Sequence, residues 1–250
     1  MSQPIYIYAF CDQPADTGEL AGLSGGTLRF LEAGGVYAAI SDAPRGRLRP
    51  QRRMLAAHQN VLASIAGRVS TLPCAFGLVA ETQAQLETAM HEHAASIQAE
   101  LARVAGCVEF DVKLAWDVPD VFDQLVELDP VLANLRSELA SHGTAAPHEL
   151  KVSVGRRVEA VLQAHRSEAV HAILDALSPR CREITPRDVT DEADLAHAAA
   201  LLPRSEAEAF ERAVEELATR FDGSHVIRIA GPFAPHSFVE LRLELAAAAA

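Results

Sequence analysis

The sequence has lysine at only Lys113 and Lys151, so nearly all of its positive charge is arginine. It has no positive balance either. A formal net charge of −12 leaves no general basic face for gripping phosphates, which argues against a nucleic-acid partner. An unbroken apolar run of about 20 residues, the length needed to cross a bilayer, is missing, and no lipid membrane partner is expected. The opening MSQPIYIYAF lacks the basic start of a signal peptide and reads directly as a strand. No CxxC occurs: Cys11, Cys74, Cys107 and Cys181 lie far apart, so a reduced cytoplasmic protein with buried thiols is expected. Gly25-Gly26 and Gly34-Gly35 have neither the spacing nor the following helix of a phosphate loop, and no GxSxG elbow is present.

What is present is a globular composition. Hydrophobic residues make up 49% of 250, enough for one large or two small cores. The stretch IYIYAFC at 5–11 is β-branched and aromatic, a buried-strand pattern. TLRFL and VYAAIS flank Gly34-Gly35 as a hairpin. A helix is expected over 52–66 and an extended segment over 71–80. Thr82 with Gln85 makes a capping box that opens a helix carrying Leu86, Met90, Ile97, Leu101 and Val104, stopped by Gly106. CVEFDVKLAW then alternates, with Val108, Phe110, Val112, Leu114 and Trp116 on one face and Glu109, Asp111 and Lys113 on the other. These strands are assigned to one sheet.

The second half is richer in helix. Residues 120–141 read as helical with a break at Pro130, and 141–149 as a linker. A long helix follows, with Leu150, Val154, Val158, Val161, His165, Ala169, Ile173 and Leu177 on one face. CREITPRDV and LAHAAALL read as strands. Ser205 with Glu208 forms another capping box before a helix striped by Phe210, Val214, Leu217 and Phe221, and HVIRIAG returns as a strand. The expected fold is α+β in two domains. Residues 1–117 form a ferredoxin-like sheet with helices on one face, and 118–245 a helix-rich α+β domain ending in a strand and a Gly-Pro-rich tail. The closing alanines, 246–250, are left out of this fold reading.

Chemistry is sparse. His91 and His93 stand two apart on a helix and point in different directions, which disfavours a shared metal. His165 lies on an apolar stripe and reads as a hydrogen-bonded core histidine. Cys74 reads as a buried thiol before a nucleophile. Glu109 and Asp111, roughly 7 Å apart along one strand face, read as a solvated ladder with Lys113 rather than an acid–base pair.

Two features point outward. PRGRLRPQRR at 44–53 places Arg45, Arg47, Arg49, Arg52 and Arg53 together. They read first as a solvated loop and second as a docking patch for an acidic partner surface. AGPFAPHSFVEL at 230–241 is a stiff elbow, since its two prolines fix backbone angles and remove donors. Phe233 and Phe238 on this elbow read first as a structural clamp and second as a partner-binding surface.

Several stretches together resemble the gas vesicle protein F/L family, GvpF/GvpL. They are YIYAF, HQNVLASIAGRVSTLPCAFGLV at 58–79, GCVEFDVKLAWD at 106–117, EAFERAVEEL at 208–217 and GPFAPHSFV at 231–239. The family pattern is matched at His58, Leu72-Pro73, Phe76-Gly77, Glu109, Lys113, Gly231-Pro232, Pro235, Phe238 and Val239. Phe233 stands where tryptophan is expected, Ala234 for a proline and His236 for an aromatic. The resemblance implies a two-domain α+β accessory protein of gas vesicle formation, cytoplasmic or vesicle-associated, that is not an enzyme and has no cofactor. Its implied partners are the hydrophobic shell protein and other gas vesicle accessory proteins, and its implied role is to help nucleate or assemble the vesicle. The competing class is a small-molecule-binding or regulatory ferredoxin-like module. That class requires a polar-lined cavity with convergent titratable groups, and the sequence assembles none.

Overall fold

A computed structural model describes residues 4–18, 20–23, 25–44, 46 and 48–241. The described residues form an α+β structure with two sheets and seven α-helices. It divides into two compact units, one running to Glu109 and resuming at Gly231, the other spanning Phe110–Ala230.

In the first unit β1 (Ile5–Cys11) runs antiparallel to β3 (Val36–Asp42) on one edge and to the short β4 (Thr71–Pro73) and β5 (Val79–Ala80) on the other. β2 (Arg29–Ala33) completes the order β2-β3-β1-β4. Every residue of β1 is buried, as its unbroken apolar run requires. A register shift between Ile7 and Ala9 makes a bulge at Tyr8. The extra residue keeps Tyr6, Tyr8, Ala9 and Cys11 in one cluster with Val61, Leu62 and Ile65 of α1 (Arg52–Ala66). Ala33 pairs with Val36 across the expected Gly34-Gly35 turn, where φ is +62° and +74°. A Cβ at Gly34 would stand 2.9 Å from that of Ala94, so glycine also permits a close helix approach there.

That approach coincides with a break in the expected helix. α2 (Gln83–Glu92) and α3 (Ala94–Arg103) are separated at His93, whose φ of −105° and ψ of 9° lie outside helical values. Thr82 caps α2 as expected, accepting from the Gln85 amide at 3.2 Å. The stripe survives the break, with Leu86, Met90, Ile97 and Leu101 all buried.

β6 (Cys107–Trp116) joins the second sheet, not the first as its sequence position suggests. The order is β7-β8-β6-β9, with β7 (Glu183–Arg187), β8 (Asp194–Pro203) and β9 (His225–Phe233). The Trp116 amide bonds the Ala193 carbonyl at 2.9 Å and His197 lies beside Asp111. The end of β6 therefore meets the start of β8, an antiparallel pairing. β8, between two neighbours, is buried nearly throughout. β9 is an edge strand and is largely exposed.

Helices α4 (Val121–Leu128), α5 (Pro130–His142), α6 (His148–Leu177) and α7 (Ala207–Ala218) complete this unit. Pro130 starts α5 at N1, with the Asp129 carboxylate accepting from the Leu132 amide at 2.7 Å. The same carboxylate takes Arg157 of α6 at 2.9 Å, which fixes the α4–α5 corner against α6. At 30 residues α6 is about 45 Å long. It packs along β8, with Ala169 beside Leu195 and Ile173 beside Ala196 and Ala198. α7 buries Phe210, whose ring centroid is 5.5 Å from that of Phe110. The Ser205/Glu208 box is not used. A 3-10 turn over Arg204–Glu206 leads straight into α7, and the Ala207 amide takes the Arg204 carbonyl.

Candidate functional site

In the first unit, segments far apart in sequence converge: His58 on α1, the Cys74–Leu78 loop between β4 and β5, Glu109 near the start of β6, and the tail after β9. Burial drives the arrangement at His58, which is 1% exposed. Tyr8 stacks on the imidazole at 5.6 Å, with Tyr6 and Phe76 edge-on at 5.7 and 5.8 Å. The Nε2 atom lies 3.2 Å from the Cys74 carbonyl, which can only accept, so Nε2 carries the proton. Nδ1 is then an acceptor and takes the Tyr6 hydroxyl at 3.0 Å. That hydroxyl in turn accepts the Gly77 amide at 3.1 Å. Burial holds the His58 pKa below its ordinary value, with the Cys74 carbonyl opposing, and pushes the Tyr6 hydroxyl up to about 12. His58 is thus a neutral link that pins the Leu72-Pro73-Cys74-Ala75-Phe76-Gly77 stretch onto β1.

The tail is fastened beside this loop. Glu109 is 3% exposed, and its carboxylate accepts the Ser237 amide at 2.7 Å and the Ser237 hydroxyl at 2.5 Å. The Arg103 guanidinium, paired with Glu100 at 2.9 Å, also donates to the Phe238 carbonyl. Ala234 joins the core cluster around Tyr6 and Tyr8. These bonds correct the expectation of a solvated Glu109–Asp111–Lys113 ladder. Glu109 is covered by the tail, while Asp111 meets His197 at 3.1 Å and Lys113 meets Asp194 at 3.6 Å.

Between loop and tail lies a groove of about 440 Å³. Phe10, Leu72, Pro73 and Leu78 line it from the sheet and loop, and Val239 and Leu241 from the tail. Its polar members are Cys74 and His236. Burial pushes the Cys74 thiol far above its ordinary value, the opposite of what a thiolate nucleophile needs.

The expected partner-binding residues separate. Phe238 is 2% exposed and serves the clamp, whereas Phe233, at the end of β9, is 39% exposed. Arg45 and Arg47 lie outside the described residues. Arg49, Arg52 and Arg53 are exposed, and none forms an ion pair among the described residues. Arg52 and Arg53 occupy the first turn of α1, which has no acidic residue and no side-chain cap. Cations there oppose the helix dipole by about 0.3–1 kcal/mol each at low salt, so their placement does not come from helix stability. His91 lies in the last turn of α2 and His93 at the α2–α3 break, and no cluster of three metal-binding side chains occurs among the described residues. No helix among them is long and apolar enough to cross a membrane.

Sequence reasoning matched His58, Glu109 and the tail to one pattern without bringing them together. The signal available was their chemistry: a lone histidine in an apolar stripe and a carboxylate flanked by Val108 and Phe110 both need a partner when buried.

The protein-family model for gas vesicle synthesis protein GvpL/GvpF matches residues 4–240. Gas vesicle protein F of Streptomyces sp. (strain CB03234) is 30% identical over 242 residues, covering 96% of this chain and 100% of that protein. Gas vesicle protein L2 of Halobacterium salinarum (strain ATCC 700922 / JCM 11081 / NRC-1) is 26% identical over 258 residues, covering 95% of this chain and 92% of that one. The crystal structure of the gas vesicle protein GvpF from Anabaena sp. PCC7120 is similar with a TM-score of 0.82 at 25% identity, covering 96% of this chain and 100% of that chain.

Proposed function

The chain belongs to the gas vesicle synthesis protein GvpL/GvpF family, and from that premise we propose how it acts. It is a non-enzymatic accessory or minor structural protein, cytoplasmic and vesicle-associated, that binds the hydrophobic shell protein and assists vesicle nucleation or assembly. The observation that carries this reading is the groove of about 440 Å³ beside the clamped tail, walled mainly by apolar side chains. A shell subunit awaiting assembly presents apolar surface, and a preformed apolar groove shields it with little ordering cost. The exposed Phe233 offers a further apolar contact, and Arg49, Arg52 and Arg53 offer unpaired positive charge to acidic groups on the shell protein or on another accessory protein.

Co-expression with a gas vesicle shell protein tests the reading. The two are expected to co-purify and the shell protein to stay soluble. Ala75→Asp, an exposed position on the groove wall, is expected to abolish co-purification. A joint Arg49/Arg52/Arg53→Glu variant is expected to weaken it and to steepen its loss in salt. Failure of the wild-type pair to associate, or full retention by Ala75→Asp, would overturn the proposal.

A further inference from the structure

The second unit contains a separate cavity of about 300 Å³, at the lower end of the range for small-molecule sites. Trp116 of β6, His165 and Glu168 of α6, Gln124 of α4, and Asp222 and His225 before and on β9 line it. Its polar groups have unused bonding capacity. Trp116 is 4% exposed, yet its indole N–H has no partner among the described residues. An orphaned buried donor is costly, and native structures rarely leave one without a water, ion or ligand to answer it. His165 is edge-on to Trp116 at 5.6 Å and is not the hydrogen-bonded core histidine expected from the sequence. Neither its ring nor the side chains of Gln124 and Glu168 have a hydrogen-bond partner among the described residues.

The lining also selects by shape and charge. The Trp116 and His225 rings lie 4.4 Å apart at 35° and those of Phe221 and His225 5.3 Å apart at 46°, so three tilted rings line one side and offer π-faces to a planar ligand. His225 donates from Nδ1 to Asp222 at 2.8 Å, so Nε2 is its free nitrogen. Glu168 and Asp222 are acidic, and no lysine or arginine among the described residues lines the cavity. An anion would be repelled, whereas a hydrogen-bond donor would be welcomed.

We propose that this cavity binds a planar, amino-substituted nitrogen heterocycle of nucleobase size without negative charge. A ring nitrogen accepts the Trp116 N–H, the exocyclic amine donates to Glu168, and Gln124 and His165 complement the remaining edge. The site is independent of the shell-binding groove, so either can fail without the other.

Trp116 is the sole tryptophan of the chain, and its fluorescence therefore reports this cavity alone. Titration of the full chain with adenine, and in parallel with cytosine, is expected to give a saturable fluorescence change for at least one. Glu168→Gln, at an exposed position, is expected to weaken binding about tenfold by removing a charged acceptor. Ala172→Leu fills the cavity and is expected to abolish the change while the circular dichroism melt is kept. Purine, which lacks the amine, is expected to bind about as weakly as adenine does to Glu168→Gln. The proposal is overturned by the absence of saturation with both bases at millimolar concentration, by binding that survives Ala172→Leu, or by the amine-free analogue of the base that saturates (purine for adenine, 2-pyrimidinone for cytosine) binding as tightly as that base.

Discussion

Tyr6, His58 and Glu109 in the first unit, and Trp116 and His165 in the second, are polar side chains largely withdrawn from water. The first three are answered within the protein: Tyr6 and His58 by each other and by loop backbone, Glu109 by Ser237. The other two are not answered. Satisfied buried groups fix one arrangement, because breaking any partnership strands the other member. Unsatisfied ones add nothing to the fold, yet they retain bonding capacity for a ligand. The contrast teaches that the first unit spends its buried polarity on holding a loop and a tail, and the second leaves its polarity open.

The contrast breaks most forcefully at Glu109. Glu109→Ala strands the Ser237 amide and hydroxyl beneath the tail and is expected to destabilise the protein by about 2–4 kcal/mol in denaturant unfolding. Loss of hydrogen-exchange protection at Ser237, even in conditions where the rest stays folded, would place the effect at the clamp. Next comes Tyr6→Phe, which removes the hydroxyl shared by Gly77 and His58 and is expected to cost about 1–3 kcal/mol. A cost near zero would show that the His58 link holds nothing.

A pH series sharpens the same point. Burial lowers the His58 pKa in the folded state, so below the ordinary value of about 6.5 the unfolded chain takes up a proton that the folded one resists. Stability from this group is complete above that value and is lost as the pH falls toward the lowered folded value. The urea midpoint is therefore expected to drop more steeply in the wild type than in His58→Gln as the pH falls below about 6.5. An equal slope would remove His58 from the account. The smallest effect is expected for Trp116→Phe. Deleting the orphaned N–H relieves an unmet donor, so the change is expected within about 1 kcal/mol of zero despite the burial. A loss comparable to that of Tyr6→Phe would mean that Trp116 has a partner after all and would erase the difference between the units.

Local order was legible in the sequence, and long-range partnership was not. The β1 run, the Gly34-Gly35 turn, the Thr82 cap, the Pro130 break and the α6 stripe all follow from short-range chemistry, and the structure has each of them. The break at His93 escaped notice because the apolar stripe keeps its spacing through it. The strand pattern of β6 was plain, but its neighbours β8 and β9 come later in the chain, and alternation says nothing of which strand pairs with which. Glu109 was read as solvated because the residue that covers it lies 128 positions away. The second-unit cavity was invisible for the same reason: Trp116, Gln124, His165 and His225 belong to four different elements, and only tertiary packing gathers them.

The separation of Glu109 from Ser237 also sets a timetable. A ribosome adding about 5–20 residues per second needs on the order of ten seconds to make the intervening chain. Through that interval the first unit is a sheet and three helices with an uncovered carboxylate, and Phe10 and Leu72 face a groove that still lacks Val239 and Leu241. The unit therefore completes its fold only after the whole second unit has emerged. A chaperone or partner that meets the nascent chain encounters a wider, one-sided apolar surface than the finished protein presents.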